Sequence, residues 1–206
     1  MQHRRGLYAV TDPVLTPGQR LLQAVAAAID GGAVMVQYRH KSAAEAERRR
    51  EARALLELCR ARGVPLIVND DVELAAALGA DGAHIGKDDV PVGEARRVLG
   101  REAIIGVSCY DSLPAACAAA EAGADYVAFG SFFPSTIKPQ AVRAELELLR
   151  QSRARLSLPI VAIGGITPQN GAQLVAAGAD LLAVITGVFA SPDAAAAARR
   201  YAALFA

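Results

Sequence analysis

The sequence predicts a single (β/α)8 barrel of the TIM type, with residues 1–206 forming one domain. Apolar strand-like runs alternate eight times with amphipathic helix-like runs along the 206 residues, and such alternation indicates a parallel sheet. The apolar runs lack a two-residue period, as expected for parallel strands that are covered on both faces. A fourfold internal repeat favours closure into a barrel, and an open doubly wound sheet is the alternative.

The predicted strands are short and rich in aliphatic and β-branched residues. They lie at residues 7–11, 33–38, 65–69, 82–86, 103–108, 125–130, 159–164 and 181–186. The segments between them have the helical period, with apolar residues recurring on one face. In the first helix these residues are Leu21, Leu22, Val25, Ala28 and Ile29, and in the second they are Ala52, Leu55, Leu56 and Cys59.

The repeat consists of a helix end, a glycine turn and an apolar strand, and it precedes each even-numbered strand. Its copies read AIDGGAVMVQYR, ALGADGAHIG, EAGADYVAFG and AAGADLLAVITG. Gly32, Gly79, Gly123 and Gly178 each fall where a helix commonly ends in a glycine. A two-unit period that occurs four times suits a barrel of four βαβα quarters.

Composition excludes several functional classes. The formal net charge is +1, so neither a nucleic acid nor an anionic membrane is an expected partner. No run reaches the roughly 18 apolar residues of a spanning helix, and no signal peptide is recognisable. The three cysteines show no CxxC spacing and are expected to be reduced thiols of a cytoplasmic protein. The three dispersed histidines argue against a zinc site.

Carboxylates follow the third and fourth predicted strands. Strand three ends in Asn69, Asp70 and Asp71, and strand four leads to Asp88 and Asp89. Polar residues at the carboxyl ends of barrel strands face the active site. Two neighbouring strands that both end in aspartate therefore predict an oxygen-rich site suited to Mg²⁺.

Helix capping is the competing explanation for these aspartates. Asp70 and Glu73 have the spacing of a capping box at the start of a helix over residues 72–78. One aspartate of each pair can be a cap and the other a metal ligand. Spacing alone leaves open which is which.

The second and fifth strands end in groups that can bind anions. Gln37, Arg39 and Lys41 alternate, so in an extended chain they point to the same side. Arginine can grip a phosphate bidentately and lysine can act as a point charge. Ser108 is expected to hydrogen-bond substrate. The sequence shows no histidine base for Ser108 or Cys109, so neither is expected to be a nucleophile.

The segments after strands six, seven and eight predict a second anion pocket. FGSFFPSTIKP follows strand six and carries Lys138, AIGGITPQN contains the Gly164–Gly165 turn, and VITGVF ends strand eight. Thr167 and Pro168 are expected to start a helix. Loops after strands seven and eight, with a short extra helix, often form a phosphate site. Two anion pockets suit the joining of two phosphorylated molecules, or one bis-anionic substrate.

These motifs together resemble thiamine phosphate synthase over essentially the whole chain. VQYRHK, IVNDD, HIGKDD, GVS, FPSTIKP, AIGGIT and VITGVF occur in order, each at a strand end. The resemblance implies a Mg²⁺-dependent transferase that couples hydroxymethylpyrimidine diphosphate to a thiazole phosphate or thiazole carboxylate and releases pyrophosphate.

The resemblance also implies roles for particular residues. The pyrimidine diphosphate would contact Gln37, Tyr38, Arg39, His40, Lys41, Asn69, Ser108 and Lys138. The thiazole phosphate would contact Ser135, Thr136, Ile137, Gly165, Ile185 and Thr186. Asp70 and Asp89 would hold Mg²⁺, and Arg39, Lys41, Ser108 and Lys138 would be catalytic. Ile137 stands where the family often has threonine, and Thr186 where serine is common.

Three rival functions remain open at this point. A thiazole tautomerase of the same fold would tend to lose the diphosphate and metal residues, which are retained here. A sugar-phosphate epimerase would leave the paired aspartates unexplained. A paralogue that only binds thiazole phosphate would be free to lose its metal site. The partners expected are small molecules, and the sequence leaves the oligomeric state open, a homo-oligomer included.

Overall fold

Eight parallel strands close into a barrel in the order β1-β2-β3-β4-β5-β6-β7-β8, as predicted. The structure is a computed structural model that describes residues 4–134 and 142–206. The strands are β1 (Gly6–Val10), β2 (Ala33–Tyr38), β3 (Leu66–Asn69), β4 (Gly82–Ile85), β5 (Ile104–Tyr110), β6 (Tyr126–Phe129), β7 (Ile160–Ile163) and β8 (Leu181–Val184). Each lies within two residues of its predicted bounds, so the apolar runs alone located the barrel wall.

Helices follow the strands and cover the outside of the barrel. They are α1 (Arg20–Asp30), α2 (Glu45–Ala61), α3 (Val72–Leu78), α4 (Val92–Leu99), α5 (Leu113–Glu121), α6 (Leu146–Arg155), α7 (Pro168–Ala176), α8 (Thr186–Phe189) and α9 (Ala194–Ala202), with a final 3₁₀ turn at Ala203–Phe205. The described helices include none that is long and apolar enough to cross a membrane.

Two layers of side chains form the core. Residues that point into the barrel, among them Tyr8, Met35, Ile67 and Tyr126, form an inner cluster. A larger cluster lies between the strands and the surrounding helices. All four predicted residues of the second helix are buried in this outer layer. In the first helix the prediction for Leu22 was wrong, because Leu22 is 38% exposed and Ala24 is buried in that face instead.

The repeated glycines have the backbone conformation that the turns require. The φ angles of Gly32, Gly79, Gly123 and Gly178 are +100°, +66°, +93° and +115°, a region that residues with a side chain rarely occupy. Each glycine therefore lets the chain leave a helix and enter the following even-numbered strand.

Three of the repeats also place an aspartate at the amino end of the barrel. The side chains of Asp81, Asp125 and Asp180 accept hydrogen bonds from the backbone N–H groups of Leu66, Ile105 and Ile160, respectively, at 2.9, 2.8 and 2.9 Å. Each carboxylate thus connects an even-numbered strand to the odd-numbered strand before it. These bonds fix the strand ends opposite the candidate site.

Candidate active site

A cavity of about 520 Å³ opens at the carboxyl ends of the strands. This is the end of a (β/α)8 barrel at which active sites occur. Most of the described residues predicted for the site line it, namely Gln37, Arg39, Lys41, Asn69, Asp70, Asp89, Ser108, Gly165, Ile185 and Thr186. Residues that are far apart in the chain therefore meet in one cavity.

The cations that follow β2 lie beside carboxylates. Lys41 Nζ is 2.7 Å from Asp70 Oδ2, and a guanidinium nitrogen of Arg39 is 3.8 Å from Asp12 Oδ2. Asp12 is buried, and it also accepts hydrogen bonds from the N–H groups of Val14 and Leu15 in the loop after β1. Sequence reasoning missed Asp12, because a loop aspartate after a strand gives no signal of its partner. The ion pairs hold both cations at the cavity wall.

Tyr38 and His40, which were also predicted for the site, do not line the cavity, and their side chains contact Glu51 instead. The Tyr38 hydroxyl donates to Glu51 Oε2 at 2.8 Å, and His40 Nδ1 lies 2.9 Å from the same oxygen. Glu51 belongs to α2, on the outside of the barrel. Alternation along an extended strand places these residues on the face opposite Gln37, Arg39 and Lys41. Their placement supports a role in packing α2 against β2.

The aspartate pair after β3 divides into one cap and one cavity residue. Asp71 is the N-cap of α3, and its side chain accepts from Leu74 N at 2.9 Å. The expectation that Asp70 begins a capping box was therefore wrong. Asp70 instead has φ +63° and lines the cavity. Aspartate tolerates this left-handed conformation better than most residues do, so the turn can direct a carboxylate into the cavity and place the next one at the helix start.

The aspartate pair after β4 contains no helix cap, because Pro91 is the N-cap of α4. Asp89 Oδ2 accepts a hydrogen bond from Gly86 N at 2.7 Å, which closes the turn after β4. Removal from solvent raises the pKa of Asp89, and the neighbouring Asp70 carboxylate raises that pKa further. The Gly86 N–H and the Lys41 ammonium act in the opposite direction. Asp70 and Asp89 are therefore close enough to repel each other.

This donor set fits Mg²⁺. Two carboxylates from adjacent strands face each other, and their mutual repulsion would be relieved by a bound cation. Magnesium is usually held by one or two carboxylates together with water and substrate phosphates. Within the two described ranges no group of three or more His, Cys, Asp or Glu side chains is placed to hold a metal. A cation here would accordingly need ligands beyond the two aspartates, and a diphosphate can supply them.

Ser108 has a histidine partner that the sequence did not reveal. His84 Nε2 lies 2.8 Å from Ser108 Oγ, and His84 Nδ1 lies 2.9 Å from the Tyr126 hydroxyl. The expectation that no histidine accompanies Ser108 was therefore wrong. His84 and Ser108 lie on adjacent strands but are 24 residues apart in the chain. The group that orients His84 Nδ1 is a neutral phenol, whereas activated serine nucleophiles have a carboxylate at that position.

The hydrogen-bonded series continues through the barrel interior. The Tyr126 and Tyr8 hydroxyls are 2.9 Å apart, and Gln37 Nε2 donates to the Tyr8 hydroxyl at 2.8 Å. Sequence reasoning missed Tyr8, His84 and Tyr126. Their signal was present, because a polar side chain inside an apolar strand must find a partner when it is buried.

The Gly164–Gly165 turn lies against the segment that follows β6. A Cβ atom on Gly164 would overlap Ser131, and one on Gly165 would overlap the backbone of Phe133 and Pro134. Phe133 N donates to Gly164 O at 3.0 Å. The glycines were expected to allow a ligand to approach closely. The structure shows that they also allow the segment after β6 to approach β7.

The opposite wall of the cavity has the predicted helix starts. Thr167 caps α7 through a reciprocal pair of hydrogen bonds with Asn170, and Pro168 is the first residue of that helix. The short helix α8 begins at Thr186, directly after β8. Ser135, Thr136, Ile137 and Lys138 were also predicted for the site, and they lie outside the described residues.

The fold and the cavity are typical of (β/α)8 barrels that act on phosphorylated small molecules. Carboxylates and cations gather at the ends of β2 to β4, and glycine-rich backbone lies at the ends of β7 and β8. Comparisons with known proteins identify the family within this class.

The family model for thiamine monophosphate synthase matches residues 7–188. A protein of Nitrosococcus oceani named thiamine-phosphate synthase is 54% identical over 197 residues, which cover 96% of this chain and 91% of that protein. A protein of the same name from Azoarcus is 54% identical over 202 residues, or 98% of each chain. The solved thiamine phosphate pyrophosphorylase of Pyrococcus furiosus is 33% identical, with a TM-score of 0.88, and the match covers 98% of this chain and 96% of that one. The chain belongs to the thiamine monophosphate synthase family, and it is an enzyme of the transferase class.

Proposed function

We propose that the protein couples an aminopyrimidine-methyl diphosphate to a thiazole phosphate, giving thiamine phosphate and pyrophosphate. The observation that carries this proposal is the meeting of two cations and two carboxylates at the ends of neighbouring strands. Lys41 pairs with Asp70 at 2.7 Å, and the Asp70 carboxylate raises the pKa of Asp89. Such a group of charges suits a diphosphate that binds together with a metal ion and then leaves.

The first step of the proposed reaction breaks the bond between the methylene carbon and the diphosphate oxygen. The electron pair goes to that oxygen, and the amino group of the ring donates into the carbocation that remains. Arg39 and Lys41 would stabilise the negative charge that develops on the departing diphosphate. Their partners Asp12 and Asp70 hold them in place before substrate binds. Lys138, which follows β6 in the sequence, is also proposed to assist.

Asp70 and Asp89 would hold Mg²⁺ together with the diphosphate. When bound, the ion would neutralise phosphate charge as a Lewis acid. Ionised Asp89 is needed for this binding, and its raised pKa makes that requirement sensitive to pH.

The second step forms a bond between the thiazole nitrogen and the methylene carbon. The nitrogen supplies the electron pair, so no side-chain base is needed. Gly165, Ile185 and Thr186 line the other side of the cavity, and we propose that they bind the phosphate of the thiazole, with Ser135, Thr136 and Ile137. Holding the two partners in one cavity supplies much of the rate enhancement.

The test is pyrophosphate release by the purified protein, with each substrate alone, with both, and with or without Mg²⁺. We expect release only when both substrates and the metal are present, with thiamine phosphate formed in equal amount. Conversion of a thiazole isomer without metal, and with no pyrophosphate released, would identify a tautomerase. Binding of thiazole phosphate with neither activity would identify a sensor, and either result would overturn the proposal.

A further inference from the structure

Five side chains form a continuous hydrogen-bonded series across the barrel interior. In order they are Gln37, Tyr8, Tyr126, His84 and Ser108, and the successive distances are 2.8, 2.9, 2.9 and 2.8 Å. Both ends of the series line the cavity, since Gln37 and Ser108 are cavity residues. Tyr8 and His84 also border the cavity, but little of either is exposed, since Tyr8 is 1% and His84 is 8% exposed, and Tyr126 is fully buried. We call these five residues the polar chain.

The direction of hydrogen bonding passes along the polar chain from one residue to the next. A tyrosine hydroxyl has one proton to donate, and a neutral imidazole has one N–H and one acceptor nitrogen. Gln37 Nε2 donates to the Tyr8 hydroxyl, so the Tyr8 proton is available for Tyr126. The Tyr126 proton then goes to His84 Nδ1, His84 donates from Nε2 to Ser108, and the Ser108 proton is left for a group in the cavity.

The opposite direction would leave the hydroxyl proton of Tyr8 without an acceptor in the core. If Ser108 donated to His84 and Tyr126 donated to Tyr8, the Tyr8 hydroxyl would receive two hydrogen bonds. Its own proton would have no acceptor among the described residues, at a position that is 1% exposed. A buried donor without a partner is strongly unfavourable. Only the first direction satisfies every proton of the two tyrosines.

The packing around Tyr126 preserves this arrangement. Its ring stacks on the His84 ring, with centroids 5.6 Å apart and planes inclined by 22°. A Cβ atom on Gly106 would overlap the end of the Tyr126 ring, so the glycine of the GVS motif leaves room for the phenol. Burial also raises the pKa of Tyr8 and of Tyr126, which keeps both phenols protonated over the working range of pH.

We infer that Tyr8 and Tyr126 are positioning residues, which act through His84 to hold the Ser108 hydroxyl as a hydrogen-bond donor toward the cavity. This inference rests on the proposed function, in which oxyanions of the departing diphosphate are the acceptors. A hydrogen bond from a neutral donor to an ionised oxygen is stronger than one between neutral groups. It also strengthens as charge develops on the leaving group, so its loss should lower kcat rather than raise KM.

The direction of the polar chain can be measured without substrate. Nitrogen NMR of protein labelled in histidine reports which ring nitrogen carries the proton, and only His3, His40 and His84 contribute signals. The His84→Gln variant identifies the His84 signal. We expect neutral His84 with its proton on Nε2. A proton on Nδ1 would show the opposite direction and would overturn the inference.

A kinetic cycle tests whether the tyrosines act through Ser108. We expect Tyr126→Phe to lower kcat about tenfold, as for other supporting hydrogen bonds behind a reactive group, with KM for each substrate within about twofold. Ser108→Ala should lower kcat about 100-fold. The double variant should be no slower than Ser108→Ala alone, because residues in one network are not additive.

The cycle has a second variant and a matched control. Tyr8→Phe removes the other tyrosine hydroxyl of the polar chain, and we expect it to give the same result as Tyr126→Phe. It therefore replaces Tyr126→Phe if that variant folds poorly. The control residue is Tyr201, a buried tyrosine that does not belong to the polar chain. Its hydroxyl donates to Ile166 O at 3.0 Å. The effects of Tyr201→Phe and Ser108→Ala should therefore add.

If the effects of Tyr8→Phe and Tyr126→Phe each added to the effect of Ser108→Ala, the two tyrosines would contribute only to packing. That result would overturn the inference. A wild-type protein that releases no pyrophosphate would instead overturn the proposed function. The NMR result would still decide the direction of the polar chain, so the two failures are distinguishable.

Discussion

The two ends of the barrel use the same residue type in opposite ways. At the amino end, Asp125 accepts from Ile105 N at 2.8 Å and pairs with Arg96 at 2.6 Å. Asp180 likewise accepts from Ile160 N and pairs with Arg153 at 2.7 Å. At the carboxyl end, Asp70 and Asp89 face each other, and burial together with that repulsion raises the pKa of Asp89.

The difference shows how one scaffold separates stability from function. A carboxylate such as Asp125 or Asp180, whose Oδ2 accepts from both a backbone N–H and an arginine, contributes to the folded state and has little capacity for a ligand. A carboxylate beside a like charge lowers the stability of the folded state, and a bound cation relieves that repulsion. Natural proteins commonly accept such local instability at a functional site. Substitutions at the two ends should therefore affect different measurements.

The largest expected effect is on catalysis at the carboxyl end. Asp89→Asn keeps an oxygen that can accept from Gly86 N but removes the charge, so Mg²⁺-dependent pyrophosphate release should fall at least about 100-fold. Steady-state pyrophosphate assays over a range of Mg²⁺ measure this, and circular dichroism checks the fold. Near-wild-type turnover would refute the assignment of Asp89 as a metal ligand.

The converse substitution at the amino end should affect stability. Asp125→Ala leaves Ile105 N and Arg96 without their carboxylate, and we expect the free energy of unfolding to fall by about 2 kcal/mol. Urea titration followed by circular dichroism measures the loss. The kcat of the folded fraction should stay within about twofold of wild type. A large loss of kcat with unchanged stability would contradict the division between the two ends.

A smaller effect is expected when a charge is removed beside the aspartate pair. The Lys41 ammonium lowers the pKa of Asp89, so Lys41→Met should raise that pKa and move the acid limb of the kcat/KM profile to higher pH. Loss of this charge, which is proposed to stabilise the departing diphosphate, should also lower kcat/KM for the diphosphate about tenfold.

The control for Lys41→Met is Arg101→Met. Arg101 is exposed and precedes β5, at the amino end of the barrel, and its loss should leave the profile unchanged. An acid limb that does not move in Lys41→Met would separate Lys41 from the metal site.

The smallest expected effect is on the thermal stability of the carboxyl end. A group whose pKa is raised by folding favours the folded state below its unfolded pKa, and this contribution is lost as pH rises through the folded pKa. At neutral pH without metal, Asp89→Asn should therefore unfold about 1 °C higher than wild type, since solvent screens most of the repulsion. Calorimetry at neutral and acid pH measures the difference, which should disappear at acid pH. A lower unfolding temperature at neutral pH would show that Asp89 is structural.

Local patterns were enough to predict much of the candidate site. The two-residue alternation at the end of β2 placed Gln37, Arg39 and Lys41 on one side, and all three line the cavity. The same rule places Tyr38 and His40 on the other side, where they contact Glu51. The resemblance to a family assigns those two residues to the substrate, and that assignment stays a prediction.

Contacts between distant strands could not be predicted in this way. Tyr8 and Tyr126 are 118 residues apart, and Tyr126 is 42 residues from His84. Which strands become neighbours, and in what register, depends on closure of the whole barrel. The polar chain is therefore absent from any short segment of the sequence.

By itself, the sequence determined the order and bounds of the strands, the glycine turns before the even-numbered strands and the strand ends that carry charge. Strand formation, helix capping and alternation depend on a few neighbouring residues, and for that reason they can be read from local patterns. The tertiary structure alone decided that Asp71 caps α3 while Asp70 faces Asp89, and that His84 meets Ser108. Those outcomes depend on the register between β3, β4 and β5, which follows from the packing of the complete barrel.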